Sequence, residues 1–187
     1  MNRITLLMSL ALTCSGATPA LAGNFFVAID LGQAKATNIC NSAASIGLGG
    51  CKDTSTASRF GGGYQFNPVW GAEVSYAQYG HAGLGQDRGN WKMNGVHFSG
   101  TAACPLSNSL ALTAKLGVSR LNFETTAALG SSFAKTNIKP AFGLGVRYAF
   151  TKKIAVRAQY ESLGEVGDAR TGTARIKLIS LGAMVGW

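Results

Sequence analysis

The sequence predicts an all-β fold, an eight-stranded antiparallel up-and-down transmembrane β-barrel. Three observations carry that prediction. The stretch Pro140–Glu161 reads as strand, tight turn and strand, with Phe142, Leu144, Val146, Tyr148 and Phe150 on one parity and Ala141, Gly143, Gly145, Arg147 and Ala149 on the other. Period two means two different surroundings, and here the large apolar face would look outward while small and charged residues line something narrow, as in an outer-membrane barrel. Long polar connections and short turns then alternate along the whole chain, the layout of such a barrel. Finally, Arg3, the apolar run Ile4–Cys14 and Ala20-Leu21-Ala22 form a secretory leader with a small-x-small cleavage signal.

The expected organisation is therefore a signal peptide over residues 1–22 and one barrel domain over residues 23–187. The first strand lies between Asn24 and Ala36, with Phe25, Val27, Ile29 and Leu31 outward and Asp30 inward. Asn38–Thr56 is a long loop holding Cys40 and Cys51, which could close a ring of about 12 residues. In an oxidising compartment such a bridge stabilises by roughly 3 kcal/mol, although Cys104 offers another partner and spacing alone does not decide between them. Strand two, Ser58–Phe66, turns inward Arg59, Gly61, Gly63 and Gln65, and Asn67-Pro68 turns the chain where no ladder N–H is needed.

Strand three, Val69–Gly80, places Trp70 just after the turn, where an interfacial aromatic girdle belongs, and Glu73 and Ser75 inward. His81–Trp91 is a second loop. Strand four, Lys92–Cys104, sends His97, Ser99 and Thr101 inward and ends at Pro105-Leu106-Ser107-Asn108; Cys104 faces the lipid side by parity. Strand five, Ser109–Phe123, carries Lys115 inward, and Glu124–Asn137 is a third loop. The Pro140–Glu161 hairpin follows, turning at Thr151-Lys152-Lys153. Gly164–Gly172 is the fourth loop, and strand eight ends with Ile179, Leu181, Ala183, Val185 and Trp187 on the lipid parity. A secreted soluble sandwich is the alternative; it would bury Phe142, Leu144 and Val146 and put Arg147 in water.

Composition agrees with an exported membrane strand protein. Charged residues make up 13% of the chain, 25 residues are glycine, and removal of Arg3 with the leader leaves 16 basic against 8 acidic groups. Such a balance suits anionic headgroups or lipopolysaccharide phosphates. Nucleic acid is not expected, because no run of Lys and Arg with interleaved aromatics occurs.

Two segments, GYQFNPVWGAEVSY (Gly63–Tyr76) and AFGLGVRYAFTKKIAVRAQYE (Ala141–Glu161), resemble the strand-turn-strand units of OmpA-type eight-stranded barrels. The resemblance covers the mature chain and implies a barrel-only member, without the periplasmic peptidoglycan-binding domain of longer members. It also implies a charge cluster closing the lumen, with Glu73 in the position of the strand-three glutamate and Arg157 in that of the strand-seven arginine. Thr101 stands where a lysine is frequent and Arg147 where an acid is common, so the family's pairing scheme does not transfer unchanged.

By strand counting, Glu73, Lys115, Arg147 and Arg157 each lie about four to seven residues from a short turn, so the four should meet at similar height. Glu161 shares the inward parity. An eight-stranded barrel is just wide enough to be filled by side chains, so the leading reading is a salt-bridge plug. The alternative is a gate for small ions, and three basic groups around one Glu73 would favour anions. A lipid-modifying enzyme is the third reading, with His81 at the rim or Ser75, His97 and Glu161 in the lumen. No HExxH, GxSxG or CxxC is present, so no catalytic residue, metal or cofactor is expected. The expected role is structural or interactive: a monomeric barrel in contact with outer-membrane lipid and lipopolysaccharide, whose four loops present a surface for envelope integrity or adhesion.

Overall fold

A computed structural model of the protein describes residues 25–37, 54–83, 89–127, 132–168 and 172–187. Eight strands follow one another around a closed antiparallel barrel: β1 (Phe25–Thr37), β2 (Thr54–Gln65), β3 (Trp70–Gly83), β4 (Gly89–Pro105), β5 (Leu110–Ala127), β6 (Ser132–Ala149), β7 (Ile154–Asp168) and β8 (Gly172–Gly186). Closure leaves no open sheet edge, which a hydrocarbon environment demands. Its seam is β1 against β8, paired from Phe26↔Gly186 to Thr37↔Arg175.

The predicted parity is the observed one. Phe142 and Leu144 are 55% and 60% exposed, whereas Arg147 between the same strands is 6% exposed. This inverts a soluble sandwich and removes that alternative. Phe25, Tyr64 and Phe66 form an aromatic chain at one rim, with ring centroids 4.9 and 5.4 Å apart. Trp70 and Trp187 are exposed on the same rim, where amphipathic rings sit at headgroup level.

That rim carries three short turns built alike. Asn67 Oδ1 accepts hydrogen bonds from the N–H groups of Val69 (2.9 Å) and Trp70 (2.8 Å). Ser107 Oγ does the same for Ser109 and Leu110, and Thr151 Oγ1 for Lys153 and Ile154. A short polar side chain at the first turn position thus replaces ladder partners that the reversing backbone lacks.

At the opposite end the strands run further than the sequence suggested. His81–Gly83 and Gly89–Trp91, assigned above to a loop, are paired strand, as are Glu124–Ala127 with Ser132–Asn137 and Glu165–Asp168 with Gly172–Arg175. Beyond the hydrocarbon neither face needs to be apolar, so the ladder continues where the period-two signal fades. Two register shifts interrupt these extensions, between Gln78 and His81 and between Ser162 and Glu165. Each contains a glycine at positive φ, Gly80 (72°) and Gly164 (79°), as a bulge of this type requires.

The shear follows from the register. Starting at Phe25, the pairs Phe25↔Tyr64, Tyr64↔Ala72, Ala72↔Gly100, Gly100↔Leu116, Leu116↔Phe142, Phe142↔Ser162, Ser162↔Lys177 and Lys177↔Lys35 lead back to β1 ten residues further on. The strands are therefore strongly tilted, and residues at one height lie at different distances from their turns.

Candidate functional site

The lumen is a packed core in three layers. Toward the long connections lies an apolar cluster that includes Tyr79, Met93, Leu121, Leu163, Ile176 and Leu178. Toward the turns lies a smaller one of Phe26, Ala28, Ala149, Ala155 and Met184. Large inward apolar residues at both ends correct the expectation of a wall lined only by small and charged groups. An eight-stranded interior must be filled, and methylene and aromatic groups fill it at least desolvation cost.

Between these layers sit three carboxylates and three cations. Arg157 donates to Asp30 through Nε and Nη2, both at 2.7 Å, and to Glu73 through Nη1 at 2.6 Å. Arg59 donates to Asp30 (3.0 Å), Glu161 (2.5 Å) and Gln159 (2.8 Å). Lys115 donates to Glu73 at 2.7 Å, and its Nζ lies 3.6 Å from Glu161. Each carboxylate touches two cations and each cation two carboxylates, so the charges form a closed lattice. Charge-assisted and partly bidentate bonds of this kind offset the desolvation that an isolated buried ion would suffer.

Glycines make room for the lattice. Asp30 pairs with Gly182, which pairs with Arg157, and Lys115 pairs with Gly143, which pairs with Glu161. In both rows the side chains reach each other over a strand that presents no Cβ. A Cβ on Gly143 would lie 2.7 Å from Glu161 Cγ, and one on Gly182 would collide with the Asp30 carboxylate.

Of the residues singled out from sequence, Glu73, Lys115, Arg157 and Glu161 lie within this lattice. Arg147 does not: it faces Arg157 across the β6–β7 pair and makes no ion pair among the described residues, and its Nη2 has no hydrogen-bond partner. Equal distance from a turn is not equal height in a barrel with this tilt. Asp30 and Arg59 are members that sequence reasoning placed inward but did not connect to the cluster. The register that joins them, Asp30↔Arg59, was the missing signal. With them the charges balance, so the picture of three basic groups around a single Glu73 is replaced.

His97 is held elsewhere, its Nε2 2.7 Å from the Tyr79 hydroxyl and its Nδ1 2.6 Å from Ser119 Oγ. It shares a small cavity with Ser75 and Glu161 but bonds to neither. Ser119 is fully buried. The side chain of His81, together with Cys40, Cys51 and residues 1–22, lies outside what the structure describes. Cys104, near the turn end of β4, is disulfide-bonded.

Comparison with known proteins agrees with the geometry. The OmpA-like transmembrane domain matches residues 20–185. Outer membrane protein A of Shigella flexneri is 35% identical over 129 residues, covering 65% of this chain and 37% of the relative; that of Salmonella typhi is 33% identical over 116 residues, covering 59% and 33%. The chain thus spans about a third of the length of these curated relatives. Among solved structures, Neisserial surface protein A superposes with a TM-score of 0.64 at 19% identity, covering 87% of this chain and 97% of that one. Ail, the attachment invasion locus protein of Yersinia pestis, superposes with a TM-score of 0.60 at 17% identity, covering 88% and 99%. With eight strands, lipid-facing apolar parity and a match over nearly the whole described barrel, the chain belongs to the OmpA-like transmembrane domain family and is a barrel of the Gram-negative outer membrane.

Proposed function

We propose that this barrel is a closed anchor whose work is structural and adhesive: it holds the connections at its long end outside the cell and is not an enzyme or an open pore. The observation that carries this reading is the lattice of Asp30, Arg59, Glu73, Lys115, Arg157 and Glu161, seated between two apolar layers. Among the described residues, six charges bonded around a ring and two apolar layers in series oppose a continuous aqueous path. The paired extensions of β3–β4 and β5–β6 continue the ladder beyond the charged layer and carry the connections away from it. A rigid scaffold of this kind leaves its connecting segments free to carry specificity. A fold neighbour, the attachment invasion locus protein of Yersinia pestis, has been crystallised with the heparin analogue sucrose octasulfate. The expected contacts of this chain are lipid and lipopolysaccharide around the wall and a surface ligand at the tips, with the barrel acting as a monomer.

Single-channel recording on the refolded chain in a planar bilayer tests the closed state. Wild type and Glu73→Ala are compared after a heat-shifted gel band shows both folded. Silence from wild type supports the anchor; discrete openings in wild type that change in Glu73→Ala establish a gated pore instead. That second reading has one observation behind it: Glu73 Oε1 is shared by Lys115 (2.7 Å) and Arg157 (3.2 Å), two partners between which it can exchange. Adhesion is tested by replacing residues 84–88 and 128–131 with two-residue turns, which spares the paired extensions. Cell or heparin binding should fall while the barrel stays folded; unchanged binding refutes the adhesive role.

A further inference from the structure

The charge lattice leaves one buried cation over. Arg147 on β6 is 6% exposed, its Nη2 has no hydrogen-bond partner, and the same is true of the buried Thr113 Oγ1 on β5. Both border one cavity of about 30 Å³ below the lattice, together with Gln65, Thr101 and Arg157. Its lower wall is apolar, formed by Phe26, Ala103 and Met184. Glu73 and Lys115 also border it, but these are bonded to each other and Glu73 also to Arg157.

We infer that this cavity is a halide site, occupied by chloride, with Arg147 Nη2 and the Thr113 hydroxyl as its donors. The charge balance points there. Among the described side chains at this level the carboxylates are Asp30, Glu73 and Glu161, and all three are engaged by Arg59, Lys115 and Arg157. Arg147 is the fourth cation; it stands opposite Arg157 in the β6–β7 register, yet the carboxylates that Arg157 holds, Asp30 and Glu73, make no ion pair with it. A buried ion of this kind needs a counter-charge. Water would satisfy the orphaned N–H but would leave the charge uncompensated. The cavity has room for one or two water-sized particles, which admits a monatomic anion and excludes phosphate or sulfate. The orphaned groups are N–H and O–H donors, the chemistry that an anion takes.

The test uses the whole refolded barrel. Crystals grown in sodium bromide are measured at the bromine absorption edge, and an anomalous peak within hydrogen-bond distance of Arg147 Nη2 is expected. In parallel, urea unfolding is compared in sodium chloride and sodium gluconate at equal ionic strength. Chloride at about ten times its Kd should raise the folded-to-unfolded ratio of wild type roughly tenfold. Arg147→Leu should lose the chloride dependence, and Thr113→Val should weaken it while leaving the barrel folded. An ordered water and no anomalous peak at the site overturns the proposal. So does equal stability of wild type in the two salts, which would mark any bromide peak as binding at crystal concentration only.

Discussion

Asp30 and Arg157 form a bidentate pair, Nε to Oδ1 and Nη2 to Oδ2, both at 2.7 Å, across the bare backbone of Gly182. The two residues are 127 positions apart in the chain and meet because β8 closes the barrel between β7 and β1. Strand closure and lumen chemistry are thus one structural event.

Asp30→Asn removes a carboxylate that holds both Arg59 and Arg157. Leaving two guanidinium groups short of a buried partner should cost about 3–5 kcal/mol, read from urea unfolding in lipid vesicles. Combining it with Arg157→Leu should cost clearly less than the sum of the single changes. Strict additivity would mean that the pair is not coupled.

Gly182→Ala should destabilise by roughly 1–3 kcal/mol or more, since the new Cβ meets the Asp30 carboxylate and the Ile29 carbonyl. Gly100→Ala is the matched control: it lies on the lipid side and its Cβ would have a nearest neighbour at 3.8 Å. The same method should find it nearly neutral.

Leu116 is 73% exposed on the outer wall of β5, near mid-height. Leu116→Arg should cost about 2–4 kcal/mol if that wall faces hydrocarbon. Measured in vesicles, a change below about 0.5 kcal/mol would contradict the lipid-facing parity.

Tyr79→Phe deletes the hydroxyl beside His97 Nε2 without opening much space. Because that nitrogen then lacks its partner inside a buried apolar cluster, the loss should be about 1–3 kcal/mol. His97→Leu in the Tyr79→Phe background should recover part of it, and double-mutant unfolding measures the recovery.

Sequence reasoning reached the strand number, the inward and outward parity and the three short turns. It stopped short at the long connections, where His81–Gly83 and Ser132–Asn137 continue as paired strand with little apolar alternation to announce it. It also underfilled the lumen. Leu121, Ile176 and Leu178 are buried inside although the same residue types elsewhere face lipid, and composition cannot separate two apolar environments on opposite sides of one wall.

Parity and turn chemistry are local. Between bulges a side chain's face follows from whether its number is odd or even within a strand, and Asn67, Ser107 and Thr151 accept from backbone groups two and three residues on. Local pattern alone therefore specifies a lipid-facing barrel with an inward line of charges. Which charges touch was decided only by the tertiary structure, because a ten-residue shear slides each strand along its neighbours before the ring closes. That slide brings Asp30 and Arg59 into the lattice and leaves Arg147, which counts as near a turn as its fellows, below it without a carboxylate.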